Sequence, residues 1–252
     1  MTNLDLAISH PLMNAAGSLG FSPDLHSLTD WSRLGAFITN PVSLTPRTPA
    51  HGNRFTEFPG GFLLHTGYPN PGINQVLRQY AAHWRRSPIP VFVHLLARNP
   101  DEVAAMTHRL EMVEGVMGLE VGVDSDSSVD LVTTLAQAAN GELPVIIRLP
   151  MEHCIELAQA AINAGAAAIS LASPRGAYPA VGSELVRGRL YGPAILPLAL
   201  KMVHELSQLA IPVIGAGGVY SQQHANAMLA EGALAVQLDS VFWRSAGCRV
   251  FI

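Results

Sequence analysis

The sequence predicts an α/β fold of the parallel (β/α)8 TIM-barrel kind, and three observations predict it. Eight short apolar runs recur along the 252 residues, most of them rich in β-branched side chains and without strict alternation. Strands covered on both faces read this way. Helical patterns separate the runs, as alternating strands and helices of a parallel barrel require. The last two runs end in turns suited to one anion. Ile214-Gly215-Ala216-Gly217-Gly218 breaks into a helix at Ser221, and Leu234-Ala235-Val236-Gln237-Leu238 runs into Asp239-Ser240. Glycine lets backbone N–H groups approach an anion, and two neighbouring strand ends offered to one phosphate is a barrel arrangement.

The strands are expected at 12–16, 36–39, 91–95, 119–123, 144–147, 167–171, 212–215 and 233–238. A helix at 73–86 follows from Val76, Leu77, Tyr80, Ala81 and Trp84 at helical spacing. The next, at 99–114, opens on Asn99-Pro100-Asp101-Glu102, a capping residue with proline at the first helical position. Helices at 128–139, at 152–164 closed by Gly165, at 193–209 and at 222–230 complete the set. Two connections, 40–72 and 172–191, are too long for simple βα turns. Both leave the C-terminal end of a strand, where long loops serve as lids or binding loops. The first, with Pro41, Pro46, Pro49, Pro59, Gly60 and Gly61, also suits a surface excursion against a partner subunit. No linker divides the chain, so one domain over 1–252 is expected.

A net charge of −4, with no basic run longer than Arg85-Arg86, excludes nucleic-acid binding on electrostatic grounds. Cys154 and Cys248 offer neither a disulfide framework nor metal spacing, which points to a reducing cytoplasm and no metal site. The first residues lack a signal-peptide pattern, and no apolar run is long enough to span a bilayer. A mean hydropathy of +0.26 implies an apolar surface and hence a homodimer.

Several segments together, in order over nearly the whole chain, resemble the dihydroorotate dehydrogenase family of FMN-dependent barrels. They are His10-Pro11-Leu12-Met13-Asn14-Ala15-Ala16-Gly17-Ser18-Leu19-Gly20, then Gly35-Ala36-Phe37-Ile38-Thr39-Asn40 with Leu44-Thr45-Pro46-Arg47, and Gly67-Tyr68-Pro69-Asn70-Pro71-Gly72. Gly192-Pro193-Ala194-Ile195 and Ile214-Gly215-Ala216-Gly217-Gly218-Val219 follow. The resemblance implies FMN as cofactor, hydride transfer between a small substrate and flavin N5, and a loop residue that handles the proton. It places Ala16, Gly17, Asn40, Arg148, Gly192, Gly217, Gly218, Asp239 and Ser240 at the flavin.

The departures are specific. Asn40 and Arg148 stand where the family has lysines, and Asp239 where it has glycine beside the phosphate. The asparagines that hold the orotate ring become Leu64, Gly122, Ser127 and Ser173. A substrate other than dihydroorotate is therefore expected, because a site without its polar partners rejects a polar ring steeply. Ser125 occupies the position of the family's base, and its alternative role is a helix N-cap, the commoner use of such a run. His65 and Tyr68 are the other proton-transfer candidates. Arg148 either faces the flavin or pairs with Glu120, and His94 reads as a satisfied interior histidine. Arg175 and Tyr178 either close over a ligand or are solvated. Asn14 and Asn70 either orient ligand or cap turns. Two rivals remain open: a non-catalytic barrel that binds a phosphate-containing ligand or a partner protein, and a lyase or isomerase of a phosphorylated molecule.

Overall fold

The computed structural model describes residues 6, 8–25, 30–179, 185–244 and 251. Cys248 and the first five residues, on which the cysteine and leader expectations partly rest, lie outside them. The described strands are, in chain order, β1 (Leu12–Asn14), β2 (Phe37–Ile38), β3 (Phe55–Phe58), β4 (Gly61–Leu64), β5 (Val91–Leu96) and β6 (Val116–Gly122). Then come β7 (Val145–Leu149), β8 (Ala168–Leu171), β9 (Arg175–Pro179), β10 (Leu185–Tyr191), β11 (Val213–Ala216) and β12 (Ala235–Leu238). Eight of them form a sheet in the order β1-β12-β11-β8-β7-β6-β5-β2, every pair parallel.

The two ends of this sheet meet and close a barrel. Met13 bridges Ala36 in parallel, and the Gly35 N–H donates to the Leu12 carbonyl at 2.7 Å. The Asn14 side chain completes the seam. Its Nδ2 donates to the Ile38 carbonyl at 2.7 Å, and its Oδ1 accepts from the Ile38 N–H at 2.9 Å. The same Nδ2 also reaches the Ala15 carbonyl and Ser18 Oγ at 3.2 and 3.3 Å, so Asn14 both braces the turn that follows β1 and completes a ladder that two short strands cannot finish by themselves.

The apolar strands divide their side chains by period two. Met13, Ile38, Phe92, Ile146, Ala168, Ile214 and Ala235 point inward and fill one layer of the barrel. Two residues further along β5, β7, β8 and β12 come His94, Arg148, Ser170 and Gln237, joined by Glu120 of β6. The interior layer nearest the C-terminal mouth is therefore polar. The alternate residues face outward onto α1 (Ile73–Trp84), α2 (Pro100–Glu111), α3 (Val129–Ala139), α4 (Cys154–Asn163), α5 (Leu196–Gln208) and α6 (Gln222–Ala230).

Local chemistry fixes the helix starts. Asn99 accepts from the Glu102 N–H and Ser221 from the His224 N–H. The cap expected at Ser125 is instead Ser128, which accepts from the Leu131 N–H; the helix begins one turn later than the first serine. Arg148 lies within β7 rather than just past it, since its backbone pairs in register with Ser170.

The two long connections are not separate loops. β3 and β4 from the first pair with β10 and β9 from the second, in the antiparallel order β3-β4-β10-β9. This four-stranded sheet stands at the C-terminal mouth and forms a lid.

Candidate active site at the barrel mouth

The polar interior layer centres on Glu120, which has no solvent exposure. His94 Nδ1 lies 2.6 Å from its Oε2, while Ser170 Oγ and Gln237 Nε2 donate to its Oε1 at 2.7 and 2.6 Å. Arg148 Nη1 stands 3.7 Å from Oε2, an ion pair without a hydrogen bond. Burial alone would raise the Glu120 pKa. The His94 hydrogen bond and the Arg148 charge outweigh it and hold the carboxyl at about 2. Burial lowers His94 more than Glu120 raises it, so a neutral imidazole donates Nδ1–H to a carboxylate. The interior reading of His94 and the pairing of Arg148 with Glu120, both left open by the sequence, are realised together. Glu120 itself had been marked merely as a partner; its position two residues before Gly122, in register with His94, gave no separate signal.

Two adjoining cavities open above this layer. The deeper, of about 20 Å³, is bordered by Ala16, Pro41, His94, Arg148 and Ala172, and is covered by Tyr68, Arg189 and Tyr191. The outer, of about 330 Å³, is lined by residues that include Arg47, Leu64, His65, Tyr68, Arg98, Gly122, Asp124, Ser127, Arg175 and Arg189. Arg189 donates from Nη1 to the Ser173 carbonyl at 2.9 Å and lies 5.7 Å from the Tyr68 ring centre. Tyr191 stacks on Phe62 and meets Trp243 edge-on, so the lid is pinned by aromatic contacts. Burial pushes the Tyr191 phenol well above its ordinary range, which leaves it a neutral donor.

The site residues expected from sequence fall into three groups. Ala16 and Arg148 border the deeper cavity and His65 the outer one. Gly17, Asn40 and Gly192 line neither cavity, because each is occupied elsewhere. Gly17 turns the chain at φ +89°, and Asn40 accepts from the Gly20 N–H at 3.2 Å to hold that turn. A Cβ on Gly192 would lie 2.5 Å from the Gly60 carbonyl oxygen, so lid packing demands the glycine. Ser125 also lines neither cavity. Arg175 is tied to Asp124 at 2.9 Å, and Asn70 binds Ser43 and the Gly72 N–H, a turn role.

The third group is the turn after β11 and β12. Gly217, Gly218 and Val219 are buried; Gly217 follows the β11–β12 ladder, and among the described residues no acceptor is found for the N–H groups of Gly218 and Val219. Buried amides in that state are rare outside ligand sites. The neighbouring strand end differs. Asp239 accepts from both the N–H and the Oγ of Ser240, and Tyr220 bonds the same Oγ at 2.8 Å. Burial raises the Asp239 pKa against those bonds. Asp239 therefore occupies the N–H and Oγ of Ser240, a residue that the resemblance places at the flavin.

The sequence model described as "Dihydroorotate dehydrogenase" matches residues 1–249. The chain belongs to the dihydroorotate dehydrogenase family. Among relatives in this family is the "Dihydroorotate dehydrogenase B (NAD(+)), catalytic subunit" of Trichlorobacter lovleyi, 31% identical and covering 93% of this chain and 84% of that protein. The subunit of the same name from Geotalea daltonii is 29% identical with the same coverage. In a crystal structure of the dihydroorotate dehydrogenase of Eimeria tenella with ferulenol, the fold matches at a TM-score of 0.77 and 12% identity, over 96% of this chain and 79% of that one. The family barrel is thus intact. Leu64, Gly122 and Ser127 line the outer cavity, while Ser173 is buried and its carbonyl accepts from Arg189. No helix among the described residues is long and apolar enough to cross a membrane.

Proposed function

We propose that the chain is an FMN-dependent oxidoreductase acting on a small molecule other than dihydroorotate. The two adjacent unpaired amides of Gly218 and Val219 carry this reading, because such donors at a strand-to-helix turn suit a phosphate. FMN, when bound, supplies hydride transfer at its N5. The donor set fits the group at both ends. The amides would take its phosphate, and Arg148, which makes no hydrogen bond among the described residues, would offer a cation to the ring. Ala16 keeps the intervening wall small. Tyr68, Arg189 and Tyr191 line the cavity of about 20 Å³ beside Arg148, so a flavin ring there needs more room than these side chains now leave.

The substrate claim rests on the outer cavity. Leu64 and Gly122 bring no polar side chain, and Ser127 brings a short one where a polar ring would need several partners. His65, which lines this cavity, is better placed than Ser125 to carry a proton. The exposed Phe55, Leu185 and Trp243 of the lid region support a homodimer, and the enzyme is read as cytoplasmic.

A second reading, a non-catalytic family barrel, is favoured by one observation: Asp239 already fills the β12 half of the cradle. The visible spectrum of the ligand released by heat from the purified protein separates the two. A flavin spectrum is expected, with no spectral shift of the holoprotein on adding micromolar orotate. Protein that carries no flavin and takes none up from solution would leave the non-catalytic reading in place.

A further inference from the structure

Five of the fifteen basic residues of an acidic chain gather at one opening. Arg47, Arg98, Arg175 and Arg189 line the outer cavity and Arg148 the deeper one, while Asp124 is the one carboxylate among the lining residues. They arrive from five different places, Arg148 from β7. Arg47 comes from the loop after β2, Arg98 from the turn after β5, Arg175 from β9, and Arg189 from β10. Asp124 pairs with Arg175 at 2.9 Å and Glu120 stands 3.7 Å from Arg148, so Arg47, Arg98 and Arg189 are the ones without a carboxylate partner among the described residues. Arg189 is held by a neutral carbonyl and a ring face, and Arg47 reaches a carbonyl at 3.4 Å. Cations gathered in a concave, part-shielded site need an anionic partner, and guanidinium forks match phosphate and carboxylate oxygens. The same lining includes the apolar side chains of Leu64, Leu96, Val123, Leu131 and Leu135.

We propose that the outer cavity binds a small molecule with a doubly charged anionic head, a phosphate monoester or a dicarboxylate, on a compact apolar body. The inference rests on the reading of this mouth as the reaction site, and binding itself requires no flavin. A cavity of about 330 Å³ admits a metabolite-sized body and no large polymer. A singly charged ring such as orotate leaves most of the guanidinium charge unmatched, which adds a second reason for its exclusion beyond the lost asparagines.

The test is calorimetric titration of the purified protein with glycerol 3-phosphate and with succinate, against acetate and orotate as singly charged controls. At least one dianion is expected to bind ten times or more tightly than both controls, and its affinity to fall as salt is raised. The dianion that binds names the head group. Arg47→Gln and Arg189→Gln should each weaken it about tenfold, with circular dichroism confirming that the variants are folded. Dianions that bind no better than acetate, or binding untouched by both substitutions, would overturn the proposal. The flavin content of the same sample is read separately from its visible absorbance. Flavin-free protein that binds a dianion defeats the cofactor reading alone, and flavin-loaded protein that binds none defeats this proposal alone.

Discussion

His94 donates Nδ1–H to Glu120 across 2.6 Å in the barrel interior, and the carboxylate that receives it also faces Arg148 at 3.7 Å. One fully buried acid thereby orients a neutral imidazole and balances a guanidinium. A Cβ on Gly122 would come within 2.9 Å of His94 Nε2, so the glycine leaves room for that ring at the floor of the deeper cavity.

Glu120→Gln removes the carboxylate and strands Arg148. The expected loss is about 3–5 kcal/mol of unfolding free energy, the usual cost of breaking a buried pair. Urea denaturation measures it. The double variant Glu120→Gln/Arg148→Met should recover part of the loss, since no uncompensated charge then remains; no recovery would place the cost in the Ser170 and Gln237 bonds instead.

The same group sets an acid limit. The His94 pKa is below its ordinary 6.5 in the folded state, so its contribution is complete above 6.5 and is lost as pH falls. Glu120, held at about 2 against an ordinary 4.5, contributes fully above 4.5 and loses that contribution on the way down to 2. Asp239, raised by burial, acts with the opposite sign and offsets part of the second loss. Urea midpoints should therefore decline from neutral pH downward, in two stages. His94→Gln should flatten the upper stage; an unchanged upper stage would mean that His94 is not its source.

Asp239→Gly frees the Ser240 N–H and Oγ and removes a negative charge from the cradle. FMN affinity, measured by flavin fluorescence quenching, should rise tenfold or more, which corresponds to removal of about 1.4 kcal/mol of repulsion. Weakened binding would mean that Asp239 holds a ligand hydroxyl.

Cys154 is 1% exposed at the start of α4, and burial, aided by Glu152, pushes its thiol up to about 12. It should resist iodoacetamide at neutral pH in the native protein and react on unfolding, as read by peptide mass spectrometry at this residue.

The barrel was legible because its signals are local. Asn99 and Ser221 sit at their helix starts as the capping pattern requires, and the eight apolar runs each became a parallel strand. The two long connections were legible as lids or binding loops, but their pairing into one sheet was not. Phe55-Thr56-Glu57-Phe58 and Arg187-Gly188-Arg189-Leu190 are short segments among prolines, glycines and charges, and their pairing is decided by each other rather than by their own composition. At the site, Arg148 was legible as a charge in an apolar strand. Arg189 was not, because a charge in a long loop looks solvated until the loop folds over the mouth. The close approach of Gly192 to Gly60 of the lid was likewise not legible, since it depends on the lid's pairing.

The lid joins pieces of chain that are distant in time as well as in sequence. Thr56 Oγ1 bonds the Pro179 carbonyl at 3.3 Å, across 123 residues. During synthesis the β3–β4 hairpin emerges while β9 and β10 do not yet exist, and four of the eight barrel strands are made in between. Two-stranded hairpins are marginal alone, and closing so long a loop is entropically unfavourable until the barrel has already brought its ends together. The mouth is therefore the last part of the molecule to be completed. A nascent chain passes through a stage in which the cradle and the polar layer stand open to solvent, before Arg189 and Tyr191 fold across them.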